Sequence, residues 1–203
     1  MSGSTFQFVV EDGTIVTGAN SYVTVAYADS YLIQNHFVWP VWDSLDTAQK
    51  ELLLAWASRY LDQRATWNGQ TSSTWLANPG IVNTVGGFVT YPASYEEYPV
   101  IPPQPMRWPR AGVFDIDNNP IPFNVIPLQL MNAVCEMARY LIQNDRSIER
   151  AQDGLKELKV DVITLIFNQD YILPIVPSEI SLMIRNIGTI SSGYTNFAKI
   201  RKV

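Results

Sequence analysis

The sequence has little of the chemistry that enzymes and metalloproteins need. Its 203 residues include one cysteine, Cys135, and one histidine, His36, and we expect both to be packed or surface residues. A single thiol excludes an internal disulfide and a cysteine cluster, and the usual zinc sites need more such ligands. No glycine-rich phosphate loop, serine-centred elbow or paired-carboxylate helix motif occurs. The sequence therefore predicts no enzyme, with no catalytic residues, no metal site and no cofactor.

Charge and long apolar runs are also scarce. Charged residues make up 16% of the chain, whereas hydrophobic residues make up 47% and include six Trp, ten Tyr and eight Phe. No run of about 18 apolar residues occurs, and no charged segment followed by an apolar one opens the chain, so we expect neither a membrane span nor secretion. Such a chain is expected to bury apolar surface against partners, in an intracellular setting or inside a larger particle.

The net charge of −5 is unevenly distributed. Residues 1–100 carry three basic and nine acidic side chains, and residues 101–203 carry eleven basic and ten acidic ones. After Glu179 there is no acidic residue, and the four charged side chains that follow are basic. The pattern predicts a cationic tail on an acidic body.

Three helices are predicted for the core. Thr24 is a candidate N-cap for a short helix at about residues 25–35, which Pro40 interrupts. Asp46 and Gln49 have the spacing of a capping box and begin the second helix. Its expected apolar face is Ala48, Leu52, Trp56 and Tyr60, joined by Leu53, Ala57 and Leu61. Pro127 begins the third and longest, whose apolar stripe is Leu130, Val134, Ala138 and Leu141, beside Met131 and Met137.

An insertion at residues 70–103 separates the second and third helices. Within it, residues 81–85 and 88–91 flank Gly86-Gly87, which indicates a β-hairpin. A proline-rich return then predicts polyproline II geometry, and the many aromatic residues favour a contact surface. The prolines of that return are Pro99, Pro102, Pro103 and Pro105.

The C-terminal part combines a strand, a short helix and an arm. Residues 158–162 alternate in polarity and continue as an apolar run at 163–167, which predicts one half-buried strand. Pro177-Ser178 begins a helix that Gly188 ends, and residues 189–203 have no period. The predicted fold is mainly α: a small helical bundle with an inserted β-hairpin, a short C-terminal strand region and an extended C-terminal arm. The domain spans residues 1–188 and the arm 189–203.

Two polar motifs were weighed as sites. Residues 115–119 place carboxylates and amides like the start of a calcium loop, but Pro120 and Ile126 stand where such a loop needs Gly and Glu, so an Asx turn is expected. Arg107, Trp108 and Arg110 place two cations beside an indole, which suits either nucleic-acid binding or a structural turn or interface. The acidity of the body favours the structural interpretation.

Five short motifs follow one another in order along the chain. They are 20–31, 57–62, 67–69, 107–112, and Ile126-Pro127 with its helix containing Ala133, Cys135 and Glu136. In this order they resemble the head-to-tail connector, or adaptor, proteins of tailed bacteriophages, a pattern also catalogued as a DnaT-like single-stranded-DNA-binding family. The resemblance covers about residues 18–68 and 104–168, and the insertion departs from it.

The resemblance implies a mainly helical structural protein that forms a ring, typically of twelve copies, beneath the portal in the virion neck. Such a ring is assembled in the host cytoplasm, extends the DNA channel and offers a platform for tail or nozzle proteins. Packaged DNA passes through it without specific binding, and no membrane partner is implied.

The resemblance also implies that the C-terminal segment docks on the portal protein, which fits the basic stretch at 185–203. The candidate portal-binding residues are Arg185, Tyr194, Phe197, Lys199, Arg201 and Lys202.

The alternative function is a single-stranded-DNA-binding replication accessory protein. In that protein Arg107, Trp108 and Arg110 would be exposed, whereas in a connector we expect them to be buried or interfacial. A minor tail or neck protein is a third reading that shares most predictions with the connector.

Overall fold

Helices make up most of the regular structure. The computed structural model describes residues 6–77, 103–143, 157–160, 163–166 and 176–190. The helices are α1 (Val25–Leu32), α2 (Trp39–Asp43), α3 (Thr47–Arg64), α4 (Ser72–Ala77), α5 (Leu128–Gln143) and α6 (Ser178–Ile184). The strands are β1 (Ala65–Trp67), β2 (Gln70–Thr71), β3 (Arg110–Ala111), β4 (Glu157–Val160), β5 (Ile163–Ile166) and β6 (Gly188–Ile190). The mainly α class predicted from the sequence is consistent with these elements.

The core forms where α3 and α5 pack against each other, with α1 against both and α6 against α5. Tyr27 and Tyr31 of α1 donate hydroxyl hydrogen bonds to Asn132 (2.7 Å) and Glu136 (3.2 Å) of α5, so these two helices run in the same direction. α3 runs the opposite way, because Lys50 in its first turns bonds Asp29 of α1 at 3.0 Å while its later residue Ser58 lies beside the start of α1.

Local signals in the sequence set the starts of the helices as predicted. The Thr24 hydroxyl accepts a hydrogen bond from the Tyr27 amide, and Asp46 and Gln49 form both bonds of a capping box. The carbonyl of Pro127 accepts from the Leu130 and Met131 amides, which places this proline immediately before α5. The capping and proline predictions are therefore confirmed.

The buried faces agree with the sequence for α5 and differ for α3. Along α5 all four residues of the predicted stripe are buried. On α3, however, Leu52 is 50% exposed, whereas Leu54 is fully buried. The prediction that Ala48 and Leu52 belong to the core face is wrong, because both are exposed and α3 turns its Leu54, Ala57, Ser58 and Leu61 side toward the core.

Pro40 does not simply interrupt the chain between α1 and α3. It occupies the first turn of α2, where its missing N–H needs no intrahelical partner. The short helix is fixed by Trp42, whose indole N–H donates to Asp29 at 2.6 Å. The ammonium of Lys50 also lies 5.4 Å from the Trp42 ring, so one buried lysine ties α1, α2 and α3 together.

Three antiparallel two-stranded ladders complete the fold: β1 with β6, β2 with β3, and β4 with β5. The prediction of one continuous strand over 158–167 is wrong, because β4 and β5 fold back on each other. The helix predicted after Pro177-Ser178 is present as α6, with Ile180 and Ile184 buried. The prediction that Gly188 ends it is wrong, because α6 ends at Ile184 and Gly188 begins β6. Thr189 and Ile190, the first residues of the predicted arm, belong to β6 and pair with the body.

The insertion begins with β2 and α4, which the sequence did not predict. The hairpin predicted at 81–91 and Pro99 and Pro102 of the proline-rich return lie outside the described residues, as do 191–203. In the part of the chain that the structure describes, no helix is both long and apolar enough to cross a membrane.

Candidate interaction site

The segment Met106–Gly112, here called the arginine turn, holds the two arginines and the tryptophan singled out in the sequence. The Arg110 guanidinium points inward and donates to the carbonyls of Asn68 (2.6 Å), Gly69 (2.6 Å) and Arg107 (3.1 Å). Burial lowers its pKa, although it stays charged at any physiological pH. Arg110 therefore joins the turn to the β1–β2 connection.

Trp108 is fully buried in the core. Its ring meets Trp67 edge to face at 6.1 Å between centroids, and its amide donates to the Tyr22 hydroxyl at 3.1 Å. A side chain in this position has no exposed face on which a base can stack.

Asp62 of α3 accepts hydrogen bonds from three groups around the arginine turn. Its carboxylate accepts from the Tyr22 hydroxyl at 2.7 Å, the Trp67 indole at 3.1 Å and the Arg107 amide at 3.1 Å. Burial raises the pKa of Asp62, and these hydrogen bonds offset part of that rise. Burial and then the Asp62 charge raise the pKa of Tyr22 well above 10. The network fixes the turn against α3.

An open groove of about 1310 Å³ lies between α3 and the arginine turn. Side chains of α3 at helical spacing form one wall, and Pro103, Gln104, Pro105, Met106 and Arg107 line the other side. The α3 side chains are Leu52, Ala55, Trp56, Arg59, Asp62 and Gln63. Arg59 and Arg107 are both exposed, and within the described ranges neither guanidinium forms an ion pair.

Two exposed apolar surfaces lie away from the groove. The corner surface comprises Ile33, Phe37 and Val41, of which Phe37 is 89% exposed. The loop surface comprises Phe114, Ile116, Phe123, Val125 and Leu128. The corner surface follows the end of α1, whereas the loop surface precedes and begins α5.

The site residues predicted from the sequence are only partly brought together. Arg107 is exposed on the groove, Trp108 and Arg110 are buried beneath it, and Arg185 is exposed at the end of α6. Tyr194, Phe197, Lys199, Arg201 and Lys202 lie outside the described residues.

Sequence reasoning missed Arg59 and Asp62. Their spacing from Ala55 and Trp56 was a signal that α3 carries a second functional face.

The remaining polar groups indicate no further chemistry in the described ranges. Cys135 is buried, and burial raises its pKa to about 12, so its thiol is not a nucleophile at neutral pH. The His36 ring packs edge-on against Phe37 at 5.5 Å. A search of the same residues finds no group of three or more His, Cys, Asp or Glu side chains that could hold a metal ion.

Fold and site together define a small, mainly helical protein whose exposed features are contact surfaces and a groove. The chain belongs to the family described as "Putative DnaT-like ssDNA binding protein", which matches residues 6–93 and 87–201. Comparison with curated proteins and with solved structures gives no match. Taken alone, the family description favours the DNA-binding alternative over the connector.

Proposed function

We propose that this protein is a head-to-tail connector of a tailed bacteriophage virion, without enzymatic activity. It forms a ring beneath the portal protein, extends the DNA channel and receives tail or nozzle proteins. It is assembled in the host cytoplasm and resides in the virion neck. Packaged DNA passes through the ring without specific binding.

The observation that carries this proposal is the pair of exposed apolar surfaces, one after α1 and one leading into α5. Exposed apolar clusters mark contact sites, and Phe37 in the corner surface is 89% exposed. A ring needs two different, mutually complementary surfaces on each copy, because every copy contacts one neighbour with each of them. We assign the corner surface and the loop surface to these two contacts.

The arginine turn also supports the connector. The two functions differ in what they require of Arg107, Trp108 and Arg110, which are exposed in the DNA-binding alternative and buried or interfacial in the connector. Arg107 is exposed, as the alternative expects, but Trp108 and Arg110 are not. Trp108 and Arg110 are buried, and the Arg110 guanidinium donates its hydrogen bonds to three backbone carbonyls. The acidic body adds to this, because a channel wall of net negative charge does not hold DNA.

The first test is the mass of the purified chain, alone and after mixing with the portal ring from the same genome at moderate salt. We expect a monomer that joins the portal ring in the portal's own copy number. A chain that ignores the portal would sink the proposal.

The second test changes each apolar surface separately. Phe37→Glu and Leu128→Glu each place a charge in one of the two surfaces, so we expect partial occupancy of the portal ring by either variant. Leu182→Glu is the matched control, because Leu182 is as exposed as Leu128 (62% each) but lies on α6, outside both surfaces. If all three variants fill the ring equally, the two surfaces do not join the copies.

The second candidate function is a single-stranded-DNA-binding replication accessory protein. The family description supports it, and the groove supplies the guanidiniums of Arg59 and Arg107, which form no ion pair with any described residue, beside the half-buried Trp56. Its test is the binding of an oligothymidine of about 20 nucleotides at several salt concentrations. Affinity that falls steeply with salt and with Arg59→Gln would favour it, whereas a connector is expected to show no such binding.

A further inference from the structure

The groove beside α3 runs along the helix from Leu52 to Gln63. Leu52, Trp56, Arg59 and Gln63 recur every three or four residues and so line one side of the helix. The eleven steps from Leu52 to Gln63, at about 1.5 Å each, make this wall roughly 16 Å long. An extended peptide rises about 3.3 Å per residue, so about five residues fit along the wall.

Apolar side chains form part of the groove lining, and among the described residues its unpaired charges are positive. Ala55 and Met106 are buried there, and Leu52 is half-exposed. Arg59 and Arg107 present guanidiniums without an ion-pair partner in the described ranges. The Asp62 carboxylate interacts electrostatically with Arg107, but one carboxylate does not balance the guanidiniums that line the groove, so an excess of positive charge remains.

We propose that this groove binds an extended segment of a partner protein in which acidic and apolar side chains alternate. In an extended chain, every second side chain points the same way, so acidic residues can reach the guanidiniums while apolar ones face Leu52 and Met106. Each guanidinium can hold a carboxylate with two parallel hydrogen bonds. This site is separate from the two apolar surfaces and does not depend on the ring.

The charge count favours a peptide over DNA at this place. Binding of nucleic acid gains affinity with each phosphate that is neutralised, and in the part of the chain that the structure describes the groove offers two cations without an ion pair, on a chain of net charge −5. Two charge-assisted pairs combined with the apolar part of the lining are enough to orient a short peptide.

The experiment uses the full chain and a fluorescein-labelled peptide, Glu-Leu-Glu-Tyr-Glu-Leu-Glu. We expect it to bind, and we expect Arg59→Gln and Arg107→Gln each to weaken binding about 5- to 10-fold, as for loss of one charged contact. A control peptide carries Gln at every Glu position. Its affinity for the wild-type protein should be no higher than the affinity of the Glu-containing peptide for the double variant, which carries both Arg59→Gln and Arg107→Gln.

Arg64→Gln is the matched control, since Arg64 lies on the same helix but packs on the Tyr60 ring outside the groove. It should change the affinity less than twofold. Circular dichroism of each variant separates loss of binding from loss of fold. The proposal is overturned if the peptide does not bind, if the double variant binds it as the wild type does, or if oligothymidine binds in the groove and the peptide does not displace it.

Discussion

At the scale of single residues, the arginine turn shows that a guanidinium suits both nucleic-acid binding and a structural role. The planar guanidinium of Arg110 has five donors, which suit phosphate oxygens and backbone carbonyls equally well. The sequence Arg107-Trp108-Pro109-Arg110 therefore left both interpretations open. Only the position of Asn68 and Gly69, brought close by the β2–β3 ladder, decides that the acceptors are carbonyls.

Arg110→Lys is expected to destabilise the fold by about 2–4 kcal/mol. A lysine ammonium cannot reach three carbonyls in one plane, so buried acceptors lose their partners. Urea unfolding followed by tryptophan fluorescence measures the change. Arg107→Lys is the control, because that side chain is exposed, and it should cost less than about 0.5 kcal/mol. Equal costs for the two changes would mean that the Arg110 contacts contribute no stability.

The raised pKa of Asp62 predicts a pH dependence with a definite sign. In the folded protein its pKa lies above the ordinary value of 3.8, mainly because of burial. Between these two values the folded state binds more protons than the unfolded state, so the free energy of unfolding falls as pH rises through that window. Relative to Asp62→Asn, which does not titrate, the wild type should thus lose stability from pH 3.8 upward. A relative gain in stability over the same range would contradict the raised pKa.

At the scale of elements, the sequence predicted what short-range chemistry determines. Thr24, Asp46 with Gln49, and Pro127 act within one turn of helix, and the Asx turn of Asp115 bonds the Asp117 and Asn119 amides. Each of these signals lies within a few residues of the structure that it produces. The helix starts and the Asx turn could therefore be predicted without knowledge of the rest of the chain.

The elements that escaped prediction depend on distant partners. β1 and β6 have three residues each, too few for a period, and they pair Ala65 with Ile190. The second face of α3 also escaped, because an exposed Leu52 and a buried Leu54 are equally apolar in sequence and only the position of α5 distinguishes them. The groove depends on both, so its location could not be predicted.

Gly188→Ala tests the β1–β6 pairing. An added Cβ would come within 2.7 Å of a Trp67 ring carbon and 2.9 Å of the Thr66 carbonyl oxygen, so the strands must move apart. We expect a loss of about 1–3 kcal/mol in the free energy of unfolding. Thr189→Ala in the same strand is the control, since Thr189 is exposed. A cost for Gly188→Ala no larger than that of the control would show that the ladder tolerates the wider spacing.

At the scale of the whole molecule, the boundary between body and tail matters for assembly. The sequence placed it after residue 188, but β6 holds Thr189 and Ile190 against β1. A test of portal docking should therefore remove residues 191–203 and leave β6 in place.

Truncation after Ile190 is expected to keep the unfolding midpoint within a few degrees of the full chain while binding to the portal ring is lost. Truncation after Ile187 should lower the midpoint further, because β1 loses its partner strand. Thermal unfolding and co-sedimentation with the portal ring measure the two effects. Portal binding that survives the first truncation would remove the docking role from Tyr194, Phe197, Lys199, Arg201 and Lys202.

The β1–β6 ladder also has a consequence for how the protein is made. Ribosomes add roughly 5–20 residues per second, and β1 leaves the ribosome long before β6 exists. Until residue 190 has emerged, the edge of β1 stays unpaired and the ring of Trp67 lacks its cover from Gly188. Chains that stop before residue 190 thus display an open edge that chaperones and proteases recognise, and β1 gains its partner strand only when translation has passed that point.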